Sequence, residues 1–184
     1  MPAIPNLNII HILWEGPLTL QQTESANTGD DYGVYQIYGT HDVTGSDTLL
    51  YIGQADRGPF GGRISDHKDE WARWNPSEIA VYLGRLAGRE PVTNDSWGDL
   101  IDRAEAVLIW KIGVPFNSAR IKKLKYQERP ILVVNHGRRH RLPESVSTLT
   151  EFINTDQPDF KAFGPSGHPV EPPIPAPGTP AEEQ

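Results

Sequence analysis

Two short segments constrain the fold more tightly than any other part of the chain. Gly33-Val34-Tyr35-Gln36-Ile37-Tyr38 and Thr48-Leu49-Leu50-Tyr51-Ile52-Gly53 are rich in β-branched and aromatic residues, the side chains that suit a pleated surface. Between them, Gly39 to Asp47 is turn chemistry, so the pair should form an antiparallel hairpin. Because side chains alternate along a strand, Tyr35 shares a face with Ile37, and Tyr51 with Leu49 and Gly53. The glycine-rich Gly58-Pro59-Phe60-Gly61-Gly62 leads into a helix expected over Arg63 to Trp74, stopped at Asn75-Pro76. Arg63 and His67 stand four residues apart and share a helix face. Two tyrosines, an arginine and a histidine converging on one cleft point to a site rather than to packing.

The flanking segments supply the rest of the layers. Asn8 to Trp14 reads as a strand ended by Glu15-Gly16-Pro17, and Leu18 to Ala26 as a short helix. His11, alone in its apolar run, reads as a packed or edge histidine. Glu78 to Leu86 is a third strand and Gly88 to Ser96 a loop. Leu100, Ile101, Ala104, Val107, Leu108 and Ile112 then recur at three and four residues, one apolar stripe of a helix capped at Ser96 and ended by Gly113-Val114-Pro115. Glu105 sits beside that stripe. Ser118 to Gln127 reads as helical, Pro130 to Asn135 as a strand, His136 to Arg141 as a turn and Glu144 to Asn154 as a last helix. His136 and His140 are spaced like metal ligands, but Gly137 between them weakens a helix, so they read as solvated or phosphate-facing.

The fold class that follows is α/β in the α+β sense: a small central antiparallel sheet flanked by helices, with extra N-terminal and C-terminal strands. The expected organisation is an N-terminal strand and extension over 1–30, a core over 31–120, a basic extension over 121–160 and a Pro-rich disordered tail over 161–184. A chain of 184 residues without cysteine excludes disulfides and thiolate metal sites. No apolar run approaches the ~20 residues that span a bilayer and no signal peptide is evident, so the expectation is a cytoplasmic protein without a membrane partner.

The net charge of −7 hides an uneven distribution. Residues 1–31 hold no Lys or Arg, whereas Asn117 to Arg141 hold Arg120, Lys122, Lys123, Lys125, Arg129, Arg138, Arg139 and Arg141 against one acid, Glu128. Phosphate attraction follows the local field, not the whole-chain sum. Arg120, Lys122, Lys123, Lys125, Arg138 and Arg139 are therefore candidates for nucleic-acid binding.

Gly33-Val34-Tyr35, Tyr51-Ile52-Gly53, Arg63, His67, Glu105 and Asn117 occur in the order of the GIY-YIG nuclease family's motifs, and residues 30 to 120 resemble that family. The link between the two tripeptides is longer than the family usually carries. The resemblance implies a metal-dependent endonuclease acting on nucleic acid, DNA first. Tyr35 would be its general base, Tyr51 would orient water or phosphate, and Arg63 would pair with the scissile phosphate. His67 would relay the proton or polarise the Tyr35 hydroxyl. Glu105 would hold one Mg²⁺ (or Mn²⁺), and Asn117, Gly33 and Gly53 would support the site. A phenol is an awkward base: with a pKa near ~10, about one molecule in a thousand is ionised at pH 7, and making it mostly ionised takes roughly 4 kcal/mol from its surroundings. Two other readings use the same fold, a nucleic-acid-binding module that does not cut and a protein-interaction domain with the proline-rich tail as its ligand.

Overall fold

The computed structural model describes residues 6–67, 78–89, 94–118, 126, 128–151, 162–163 and 169–170. Its strands are β1 (Asn8–Leu18), β2 (Gly33–His41), β3 (Gly45–Ala55), β4 (Ala80–Ala87), β5 (Ile131–Gly137) and β6 (Ser145–Ser147), and its helices α1 (Leu20–Thr23), α2 (Phe60–Asp66) and α3 (Asn94–Ile112). These form one mixed sheet in the order β3-β2-β4-β1-β5-β6. All neighbours are antiparallel except β1 and β5, which run parallel. The expected central antiparallel sheet is present as β3-β2-β4, extended by the N-terminal strand β1, and the parallel β5 beside β1 makes the whole sheet mixed. The chain divides into two compact units, Met1–Ile153 and Asn154–Gln184. Among the described residues of the second, β7 (Ala162–Phe163) pairs with β8 (Pro169–Val170), where a disordered or extended tail was expected.

Each face of the sheet is buried by different helices. On one, Ile10, Ile12, Trp14, Val34, Tyr38, Ile52, Ile131 and Val133 pack with Ile101, Ala104, Val107 and Leu108 of α3. On the other, Tyr35, Ile37, Leu50, Val81 and Leu83 pack with Phe60 and Ile64 of α2 and Leu20 of α1. Each fully buried large apolar side chain contributes roughly 1.5–3 kcal/mol. One polar pair within the core is satisfied internally: the Trp14 indole donates to Asn135 Oδ1 at 2.9 Å, and Asn135 Nδ2 donates to the Pro143 carbonyl at 2.9 Å.

Several boundaries differ from those the sequence suggests. The hairpin strands extend well past the motifs, so most of the long link between them is strand and only the tip is turn. The register breaks between Ile37 and Tyr38, where Ile37 faces Tyr51 but Tyr38 faces Leu49, leaving Leu50 as the extra residue of a β-bulge. That bulge reverses the alternation. Tyr51 therefore lies on the α2 side with Tyr35, while Leu49 lies on the α3 side, contrary to the expected shared face.

The helices shift as well. α2 starts at Phe60, with Pro59 at its N-cap position and no side-chain cap, and ends at Asp66 with His67 as its C-cap; the expected continuation to Trp74 runs into 68–77, outside the described residues. α1 is shorter than expected, fixed by a capping box between Thr19 and Gln22. α3 begins at Asn94, ahead of the cap expected at Ser96. The helix expected over Ser118 to Gln127 falls mostly on residues outside the description. Among the described residues 144–151 no α-helix forms, where Glu144 to Asn154 suggested one. Ser145–Ser147 is a strand on β5, followed by a 3-10 turn at Leu149–Glu151. The free edge of β5 decides this: Thr148 Oγ1 accepts from Ile131 N at 2.9 Å and Ser147 Oγ donates to Ile131 O at 3.1 Å. Short hydroxyl side chains compete with helix formation in this way. Among the described residues, no helix is long and apolar enough to cross a membrane.

Candidate functional site

The site grows from the inner half of the hairpin. Tyr35 pairs directly with Gly53 across the ladder, and its ring lies over that glycine. A Cβ on Gly53 would run into the Tyr35 ring and hydroxyl and come within 2.7 Å of Tyr51 Cε1. Gly33 has a comparable role at the strand's start, where φ is +150° and the Gly84 carbonyl leaves no room for a side chain. With Leu50 bulged out, the Tyr35 and Tyr51 ring centroids are 6.1 Å apart, tilted by 32°. Tyr35 is fully buried.

Two charged groups act on Tyr35, one from α2 and one from α3. Arg63 comes from α2 and donates its Nε to the Gln54 carbonyl at 3.5 Å. Among the described residues that is its only hydrogen bond, which leaves the end of the guanidinium fork available to an anion. Glu105 comes from α3 and is 7 % exposed. Burial pushes the Tyr35 phenol well above the ordinary tyrosine range; Tyr51 adds to this, Arg63 pulls against it and Glu105 pushes further up. The resting side chain is therefore a neutral phenol.

Asn117 does not face this cleft. Its side chain is buried and clasps one residue of β3, accepting from Ile52 N at 3.0 Å and donating to Ile52 O at 2.8 Å. Phe116 N donates to Leu50 O at 3.1 Å, so the segment after α3 runs along the outer edge of the strand that carries Tyr51. His67, half-buried, closes α2 and remains one turn beyond Arg63.

Gln54, Asp102 and Tyr126 were not singled out by the sequence, yet they tie these elements together. Gln54 donates through Nε2 to Asp102 Oδ1 at 3.3 Å while its carbonyl receives Arg63. Asp102, one turn before Glu105 on α3, also accepts from the Tyr126 hydroxyl. The available signals were position alone: Gln54 directly follows Tyr51-Ile52-Gly53, and Asp102 precedes Glu105 by three residues.

A divalent ion can be tested against these donors. Among the described residues no group of three or more His, Cys, Asp or Glu side chains gathers. Glu105 alone suits Mg²⁺, which keeps most of its water and takes phosphate oxygens. Gln54 Oε1 is buried without a hydrogen-bond partner, an open acceptor of the kind that metal-bound water would satisfy.

The basic candidates are distributed differently. Arg120, Lys122, Lys123 and Lys125 lie outside the described residues. Arg138 Nη1 donates to the Gly16 carbonyl at 3.2 Å, and Arg139 is bonded to Glu144 at 3.1 Å. His140, expected to face solvent or phosphate, instead bonds Asp47 at 2.7 Å and stacks on Tyr82 with ring centroids 5.1 Å apart. Compared with protein-family models, curated proteins and solved structures, the chain finds no match.

Proposed function

We propose that this chain is a metal-dependent phosphodiester hydrolase of the GIY-YIG kind, cutting nucleic acid, DNA first. The observation that carries the reading is a buried tyrosine seated on a glycine beside a second tyrosine, with an arginine and a glutamate pressing on its proton in opposite directions. Phosphodiester hydrolysis needs a water made nucleophilic, a group to take its proton and positive charge at the phosphate. Arg63 would bind a non-bridging phosphate oxygen through its free guanidinium end. Tyr51 would orient the attacking water against Tyr35.

Tyr35 would take the water's proton only as its own proton becomes labile. The Glu105 charge now works against that, so neutralising this carboxylate lowers the barrier to ionisation. Glu105 would hold Mg²⁺, which supplies the neutralising charge and polarises the phosphate. His67 would carry the proton onward to solvent. The support for this reading is the clustering of these groups and the fit of the donors to a hydrated hard cation.

Incubation of the purified protein with plasmid, single-stranded DNA and RNA, with and without Mg²⁺, tests the proposal. Cleavage of at least one substrate should need the metal, and Glu105→Gln should abolish cutting while leaving substrate binding largely intact. Glu105→Gln cutting at the wild-type rate would reduce Glu105 to a packing residue. The raised Tyr35 pKa also suits a binding module that never ionises its phenol; binding without cleavage of any substrate would favour that reading.

A further inference from the structure

Gln54 stands where a strand and two helices of the proposed site meet, and its side-chain amide is bonded through one atom of two. On β3 it follows Gly53, the residue that seats the Tyr35 ring. Its main-chain carbonyl receives Arg63 Nε at 3.5 Å, and its Nε2 donates to Asp102 Oδ1 at 3.3 Å. The amide is thus held against α3, and Glu105 lies one turn beyond Asp102 on the same side of that helix. The other atom of the amide, Gln54 Oε1, is buried and has no hydrogen-bond partner.

Asp102 settles which way this amide faces. Both of its oxygens accept, one from Gln54 and one from the Tyr126 hydroxyl, as an ionised carboxylate requires. Tyr126 is held in turn by the Arg103 guanidinium, 4.3 Å above its ring. Turning the Gln54 amide over would set oxygen against carboxylate, so Nε2 must face Asp102 and Oε1 must look away from it. A buried acceptor without a donor destabilises the site that holds it. A phosphate brings no donor to relieve it. Water bound to a hard cation on Glu105 does, because Mg²⁺ keeps most of its hydration.

Building on the hydrolase reading, we infer that Gln54 is a positioning residue for that cation. Its Oε1 accepts from a water of the hydrated ion, and Asp102 holds the amide in the orientation this needs. Gln54 touches neither the ion nor the phosphate and acts through the water it fixes, as outer partners of metal sites do. A directional acceptor for one coordinated water favours the rigid octahedral shell of Mg²⁺ over the larger, looser shell of Ca²⁺. The Gln54 carbonyl also receives Arg63, so one residue of β3 locates both the cation and the arginine proposed to bind phosphate.

The test measures metal binding to the full-length chain without substrate. Electron paramagnetic resonance of free Mn²⁺ gives the affinity, and competition against Mn²⁺ gives those of Mg²⁺ and Ca²⁺. Gln54→Met keeps the length of the side chain and removes its carbonyl. It should weaken Mn²⁺ and Mg²⁺ binding by ~10- to 100-fold and Ca²⁺ binding by less. Gln54→Glu combined with Asp102→Asn reverses donor and acceptor in their hydrogen bond and keeps an oxygen toward the ion, so it should restore binding. Urea titration in EDTA checks that each variant folds. Mn²⁺ affinity unchanged in Gln54→Met, while Glu105→Gln abolishes it, would overturn the inference and leave the hydrolase reading standing. Failure of the folded double variant to recover binding would overturn it too. A wild-type chain that binds no divalent ion, or binds it equally well as Glu105→Gln, would remove the hydrolase reading and this inference together.

Discussion

The β2–β3 hairpin treats its polar groups differently at its two ends. Near the tip, Asp47 accepts from His140 at 2.7 Å and pairs with Arg141 at 2.8 Å. The His140 ring stacks on Tyr82 and meets Tyr38 edge-on at 4.5 Å. These contacts form a clasp between the hairpin and the turn after β5. At the root, Arg63 of α2 and Glu105 of α3 act on the Tyr35 proton with opposite sign. Charges that neutralise one another hold a fold together; charges set around one titratable group set how tightly it holds its proton. The sequence assigned Arg138 and Arg139 of that turn to nucleic-acid binding; in the fold, its His140 and Arg141 contact Asp47 of the hairpin.

Substitutions at the two ends should separate these roles. The largest effect is expected from Tyr35→Phe, which keeps the ring over Gly53 and removes the hydroxyl proposed as proton acceptor. Cleavage should fall by ~10²- to 10⁴-fold while the melting temperature hardly changes; full activity in this variant would shift the base to His67. Next comes Asn117→Ala, which strips the paired donor and acceptor from both backbone groups of Ile52. Urea titration should show a loss of about 2–3 kcal/mol, since two buried main-chain groups lose their partner, and the rate should drop with the loosened strand.

At the tip, His140→Ala should cost about 1 kcal/mol of stability, given its hydrogen bond to Asp47 and its ring contacts, and leave the cleavage rate of the folded protein alone. A rate loss like that of Tyr35→Phe would erase the contrast. The smallest effect at neutral pH is the tyrosines' own titration. Burial raises the Tyr35, Tyr38 and Tyr82 phenols above their unfolded value. Above about pH 10 the unfolded chain loses protons that the native one keeps. Their contribution to stability is thus complete below that pH and falls as pH rises beyond it. Tyr35→Phe should make the alkaline fall in the urea midpoint shallower.

Local patterns made some of this readable and tertiary pairing made the rest unreadable. The hairpin, the third strand and the stripe of α3 follow from alternation and periodicity, so their positions came through to within a few residues. The Leu50 bulge did not, because an extra residue within an apolar strand leaves no mark in composition. β6 was read as helix because the open edge of β5 that captures it lies outside its own window. The Asp47–His140 and His11–His136 contacts join residues 93 and 125 positions apart, which no spacing rule connects. Gln54 was passed over since a glutamine at a strand end is ordinary until an arginine and an aspartate are found on either side of it.

The Phe116–Asn117 segment has a consequence for how the molecule behaves in a crowded solution. β3 is a sheet margin, and an uncovered margin is a template on which another chain can add a strand. Here the segment fills hydrogen-bonding positions at Leu50 and Ile52, and the opposite margin, β6, is three residues long. Neither border offers a long ladder for strand addition. Growth into fibrils by edge pairing is thus discouraged at both ends, and a chain that has lost the Asn117 clasp should aggregate before it unfolds.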